Sequence, residues 1–198
     1  YYDQVALGRV FIGNTAAAGV AAPVETGTAV TFGLWNTSSK LNAVPLGISI
    51  AYVSGTIVVA GFVIVNQYCG FAIGTAAPLS AFTDGTPKNA LLGNGAASAM
   101  RFTPSAATLT AGGTRVYGLG LGHEIATAGP GMNPGYHDFD GRLIVPPGQM
   151  IFVGCTIVQT GVFSIGMSWA EVTVLRQRRA LPMSIATTSQ VHSMARCS

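Results

Sequence analysis

Apolar positions along this chain recur every second residue far more often than every third or fourth. Leu46, Ile48, Ile50 and Tyr52 alternate with Gly47, Ser49, Ala51 and Val53, and Val58, Ala60, Phe62 and Ile64 resume the pattern after Ser54-Gly55. A period of two places alternate side chains on opposite faces of a strand. No window of twelve residues carries a 3.6-residue stripe. Strands are predicted over 4–12, 28–35, 46–53, 57–66, 98–103, 114–121, 141–145, 150–158 and 162–175, the last with a break point at Gly166. Turn chemistry separates them at Gly13-Asn14, Ser54-Gly55, Asp84-Gly85, Asn94-Gly95, Gly112-Gly113, Pro146-Pro147-Gly148 and Thr160-Gly161. Eight or nine strands in 1–175 fit an all-β, two-sheet antiparallel sandwich, most simply a jelly roll. Residues 176–198 have no period and read as a C-terminal arm. Three stretches, 14–27, 74–97 and 122–140, read as loops.

The alternation also bears on membranes. No charge occurs between Lys40 and Asp84, and 44–65 is long enough to span a bilayer as a helix. Ser54-Gly55 interrupts the run and β-branched residues dominate it, so two strands are predicted, not a span. Residues 1–12 carry Asp3 and Arg9 and no apolar signal-peptide core.

Composition sharpens the picture. The chain is 49% hydrophobic and only 9% charged, against roughly 25% charged in an ordinary domain. That excludes a disordered chain and a coiled coil, and leaves few groups for ionic catalysis. The formal charge of +3 splits unevenly. Residues 1–175 hold six Lys or Arg against seven acids, while Arg176, Arg178, Arg179 and Arg196 give the arm +4. The positions facing away from the Leu46 set are small or apolar, whereas a sheet with one wet face alternates with polar residues. The outer faces are therefore expected to be covered by another copy or another protein, as in a homo-oligomer. Three cysteines cannot pair completely within one chain. Cys69 and Cys155 lie in strand patterns and read as buried free thiols.

Candidate chemistry is sparse. Gly47-Ile48-Ser49-Ile50-Ala51 and Gly166-Met167-Ser168-Trp169-Ala170 loosely resemble a nucleophile elbow, but that motif needs a helix directly after the serine. Both are read as strand serines. Gly118-Leu119-Gly120-Leu121-Gly122 opens no helix and is read as strand glycines permitting a bulge, not a phosphate loop. His123, Glu124, Tyr136, His137, Asp138 and Asp140 form a polar cluster, read as an interface loop; metal binding by it is the alternative weighed. Asn36-Thr37-Ser38 fits a glycosylation sequon. Arg176, Arg178, Arg179 and Arg196 are assigned to docking on a partner, either an acidic protein surface or nucleic-acid phosphates. No catalytic residue, cofactor or metal is assigned.

Two segments resemble a pattern found in structural proteins of tailed bacteriophages. One is Leu34-Trp35-Asn36-Thr37-Ser38-Ser39-Lys40-Leu41 with Ile48 to Thr56 after it. The other is Asp140-Gly141-Arg142-Leu143-Ile144-Val145-Pro146-Pro147-Gly148, leading through a β-hairpin to Gly166 to Val172. The resemblance is to small jelly-roll virion proteins, among them capsid decoration (cement) proteins and fibre domains. It implies a non-catalytic virion subunit that forms a homo-oligomer, with a trimer favoured. It would bind the major capsid protein or other virion subunits, with nucleic acid reached only through the arm and no membrane contact. The alternatives are a receptor- or glycan-binding fibre domain and a shell-forming coat protein. Read on their own, these residues agree: Trp35 and Trp169 lie near strand ends, where large rings close a sandwich, and Glu171 in a terminal strand suggests an inter-strand or inter-subunit polar contact.

Overall fold

A computed structural model describes residues 2–56, 58–74, 78–126, 129–132 and 135–174, with the side chains of 121–134 outside the description. The arm, with Arg176, Arg178, Arg179 and Arg196, lies outside the described residues. One short helix, α1 (Tyr2–Ala6), precedes β1 (Val10–Asn14), β2 (Val20–Ala21), β3 (Ala29–Val30), β4 (Gly33–Trp35) and β5 (Leu41–Ser54). Then come β6 (Gly61–Tyr68), β7 (Leu79–Phe82), β8 (Lys88–Asn89), β9 (Arg101–Thr103) and β10 (Ala107–Leu109). Last are β11 (Thr114–Ala126), β12 (Gly129–Met132), β13 (Gly135–Asp138), β14 (Gln149–Cys155) and β15 (Val162–Thr173). The first sheet runs β13-β5-β15-β1-β8, with β2 also on β15; the second runs β12-β11-β6-β14-β4-β9; the third is β3-β10-β7. Every pairing between these strands is antiparallel.

The first two sheets close on one core. Ile48, Ile50, Phe163, Ile165, Met167 and Trp169 of the first meet Leu34, Phe62, Ile64, Ile151 and Val153 of the second. Phe62 and Phe163 pack edge to face at 5.1 Å across the gap, an arrangement favoured by the ring quadrupole. β5 and β6 lie in opposite sheets, as do β14 and β15. The hairpin expected between the last two strands is therefore a crossing connection from one layer to the other.

A third layer corrects the expectation that both outer faces need a foreign cover. On the far side of the second sheet, Trp35, Val63, Val65, Met150 and Phe152 pack against Val30, Leu79, Ala107 and Leu109 of the third sheet. β4 and the centres of β6 and β14 are thus buried on both faces by their own chain, whereas Thr114, Arg115 and Val116 of β11 stay exposed. That explains the unbroken apolar runs Phe62–Val65 and Met150–Val153, which a half-exposed strand would interrupt. Arg115 clamps Glu25 on that side. The side-chain hydrogen bond from Arg115 holds the Glu25 carboxyl below its ordinary range, so this pair stabilises at neutral pH and is lost as pH falls through the lowered value.

Several boundaries differ from the sequence pattern. Residues 4–12 divide into α1 and β1, and 141–145 contributes only a bridge between Val145 and Ala43. β15 runs through Gly166 unbroken; its register against β5 shifts between Val162 and Phe163, with Val53 as the extra residue, and between Ser168 and Trp169, opposite Gly47 and Pro45, with Leu46 as the extra residue. A proline without an N–H is tolerated at such a bulge. The stretch 122–140 is largely strand, spread over the end of β11, β12 and β13. Residues 44–65 fall in β5, its following connection and β6, and among the described residues no helix is long and apolar enough to cross a membrane.

Asn36 joins the corners of the sandwich. It is 0% exposed. Its Nδ2 donates to the carbonyls of Leu41 and Val145, each at 2.8 Å, and its Oδ1 accepts from the Ser38 N–H at 3.0 Å. A carboxamide so enclosed is closed to glycosylation in the folded chain, whatever the sequon implies. Replacing it by Ala removes all three hydrogen bonds, although the Val145 carbonyl keeps the Ala43 N–H at 3.1 Å; each group left buried without a partner costs about 1–3 kcal/mol. Asn36→Ala is therefore expected to lower the urea midpoint sharply, and a shift equivalent to less than about 1 kcal/mol would contradict this role.

Cys69, one residue past the end of β6, and Cys155, the last residue of β14, are buried free thiols, as expected. Burial pushes their pKa values up, to about 11 and about 12. The thiolate is the reactive form. At pH 8 the native protein should leave both unlabelled by iodoacetamide, and both should react once guanidinium unfolds it. Peptide mapping distinguishes them from Cys197.

Candidate interaction surface

The two elbow-like segments lie in neighbouring strands and pair with each other. Gly47 faces Ser168, Ile48 faces Met167, and Ser49 faces Gly166. Each serine thus stands opposite a glycine, and neither opens a helix. The outer face of the first sheet becomes a flat floor of Gly47, Ser49, Ala51, Ser164, Gly166 and Ser168.

Two side chains lie across that floor. A Cβ on Gly47 would sit 2.1 Å from the Tyr136 hydroxyl and 2.5 Å from its Cζ, so the ring covers this glycine. A Cβ on Gly166 would sit 2.4 Å from Asn14 Oδ1. Only glycine admits these contacts. Tyr136 is nevertheless 66% exposed, and Ile12 and Val53 are exposed on the same face.

Charge appears only at the margins of this face. One cross-strand row runs Lys88, Ile12, Ser168, Gly47, Asp138. It crosses five of the sheet's six strands, all but β2, with a cation on one edge strand and a carboxylate on the other.

The alternation of β13 dissolves the cluster expected at 122–140. Tyr136 and Asp138 belong to the outer face. His137 turns inward, its ring 5.1 Å from both Tyr117 and Phe139, and its Nε2 is buried without a hydrogen-bond partner. Asp140 sits in a turn at φ 49°, its N–H held by Asp138 Oδ1 at 2.8 Å. His123 and Glu124 lie on β11 opposite Met132 and Gly131, with side chains outside the described residues. His137 and Asp138 therefore face opposite ways, and among the described residues no group of three His, Cys, Asp or Glu could hold a metal ion.

Glu171 makes its contact within the chain. Its carboxylate accepts from the Ser98 hydroxyl, the Ala99 N–H at 3.1 Å and the Trp169 indole N–H at 3.4 Å. A polar cleft of about 370 Å³ opens beside it, between residues 84–89 and 94–101. Two of its ionic groups, Asp84 and Arg101, are committed to structure. Asp84 accepts from Arg101 Nε at 2.7 Å, and the guanidinium lies 5.0 Å from the Trp35 ring centre and 4.8 Å from that of Phe82.

No family model matches the chain, and no curated protein or solved structure matches it. The outer face of the first sheet was half legible beforehand: small residues opposite the Leu46 set marked it, but Tyr136 and the Lys88–Asp138 polarity arise only from strand register.

Proposed function

We propose that this chain is a non-catalytic structural subunit that works as a homo-oligomer and cements a virion shell, with a trimer the favoured state. The observation that carries the reading is the flat outer face of the first sheet, uncharged except at its two edges. Five of its strands cover roughly 600 Å² at a strand spacing of about 4.8 Å and a rise of about 3.4 Å per residue. Two such areas approach the lower bound of a standard interface, about 1,200 Å². Opposite charges at the two edges orient whatever lies on the face, Lys88 toward an acidic group and Asp138 toward a basic one.

The strand order supports taking the sandwich as a jelly roll. Of the eight strands β1, β4, β5, β6, β11, β13, β14 and β15, successive members change sheet at every step except β6 to β11. The arm, with Arg176, Arg178, Arg179 and Arg196, is assigned to docking on an acidic surface of the shell.

Sizing with light scattering tests the oligomer. At micromolar concentration a multiple of 20.3 kDa is expected, and a monodisperse species of single-chain mass would overturn it. Electron microscopy of native assemblies tests the place in the particle. Density for the sandwich on top of a continuous shell is expected; sandwiches that themselves form the shell would replace the cement reading with a coat.

A further inference from the structure

We infer that the open end of the sandwich carries a binding pocket for a single neutral sugar ring. This inference is independent of the oligomeric reading, since the pocket uses the inner face of the second sheet.

The pocket follows from where the core stops. Along β6 the inward residues are Phe62, Ile64, Asn66 and Tyr68; along β14 they are Cys155, Val153, Ile151 and Gln149. The first two of the β6 set and the first three of the β14 set belong to the core. Beyond them the residues become polar. Asn66 pairs with Ile151, and Tyr68 pairs with Gln149, so both carboxamides lie on one face as diagonal neighbours. The connection from β13 to β14 lies over this end, held by the Val145–Ala43 bridge and by the N–H of Gln149 donating to the Pro146 carbonyl at 3.1 Å.

A cavity of about 240 Å³ remains, lined by Asn66, Val116, Leu143, Ile144, Pro146, Gln149 and Ile151. Gln149 is one of the lining residues, and its Oε1 is closed off from solvent without a hydrogen-bond partner, so a ligand donor meets it once the side chain turns toward the cavity. An unmet buried acceptor costs free energy until a donor arrives. Val116 and Ile144 are exposed at the same site, and Tyr68 stands half exposed with its ring against Gly148.

These features select the ligand class. No lining residue is charged, so nothing offsets the desolvation of a phosphate or carboxylate. Carboxamides both donate and accept, which matches hydroxyl groups that do the same. Aliphatic walls match the C–H faces of a sugar ring. The volume lies below the roughly 300–1,000 Å³ of drug-sized pockets, which limits the occupant to about one ring.

The test is titration of the full-length protein, ¹⁵N-labelled, with glucose, galactose, mannose and N-acetylglucosamine, and with galacturonate as the charged control. Shifts of the Asn66 and Gln149 side-chain amides that saturate with at least one neutral sugar are expected, with galacturonate at least tenfold weaker. Gln149→Leu should weaken binding at least tenfold. Ile144→Asp, at an exposed position that leaves the core intact, should do the same. No shift of those amides with any of the neutral sugars would overturn the inference. So would equal binding of galacturonate, or undiminished binding in a folded Ile144→Asp variant.

Discussion

Trp169→Ala is expected to remove about 3–5 kcal/mol of stability, the range for truncating a buried Trp. The whole reserve of a domain is about 5–15 kcal/mol. Trp169 is fully enclosed, with Phe11 stacked at 6.3 Å on one side and Phe102 at 6.0 Å on the other. Phe11 stands on β1, beside Trp169 in the same sheet, whereas Phe102 stands on β9 of the opposite sheet. The indole thus fills the gap between sheets where neighbouring strands are shortest. Its N–H also points to Glu171, which fastens the Ser98–Ala99 segment. Truncation opens a cavity and takes one donor from a buried carboxylate. Trp169→Phe keeps most of the ring body and should cost less than half as much. Urea unfolding followed by far-UV circular dichroism, at one fixed protein concentration because assembly shifts the midpoint, separates the two. A loss below about 1 kcal/mol for Trp169→Ala would mean that the ring does not hold the layers together.

Ser49→Arg combined with Ala51→Lys should convert the oligomer into monomers without unfolding it. Both positions are exposed on the flat face, so the isolated chain tolerates long charged side chains there. An interface formed on that face would have to desolvate two cations with no partner. At a cost of about 3 kcal/mol or more, the dissociation constant rises about a hundredfold. Sedimentation velocity reads the outcome, and an unchanged far-UV spectrum shows the fold intact. The edge charges give a finer check. Lys88→Asp alone should weaken assembly, and Lys88→Asp with Asp138→Lys should restore it if opposite edges meet. An unchanged sedimentation coefficient in the Ser49→Arg, Ala51→Lys protein would place the interface elsewhere.

The alternation of Leu46 to Val53 was enough to identify the centre of β5, and its two faces emerge as read: Ile48 and Ile50 in the core, Ser49 and Ala51 outside. The same rule failed where strands are too short to show a period. β2, β3 and β8 have two residues each. β13 reads Gly-Tyr-His-Asp and has no apolar alternation at all; it is a strand because β5 offers it a free edge. That pairing also separates His137 from Asp138, adjacent in sequence and opposite in direction, so a cluster of polar letters did not become a cluster of polar groups.

The chain's own residues determine its class: period-two patterning, β-branched runs and glycine- or proline-marked turns require antiparallel strands and exclude a helical fold. They also determine that the centres of β6 and β14 are buried on both sides, since an apolar run without polar breaks is stable only when neither face meets water. What covers those faces is a long-range matter. Val63 and Phe152 would read the same beneath a partner protein as beneath β3, β7 and β10, because apolar burial is non-directional and does not record the identity of the cover. Only the tertiary structure decides that the chain supplies this cover itself. Only the tertiary structure sets Gly47 against Ser168 and Gly166 against Ser49, because register depends on partners more than a hundred residues apart.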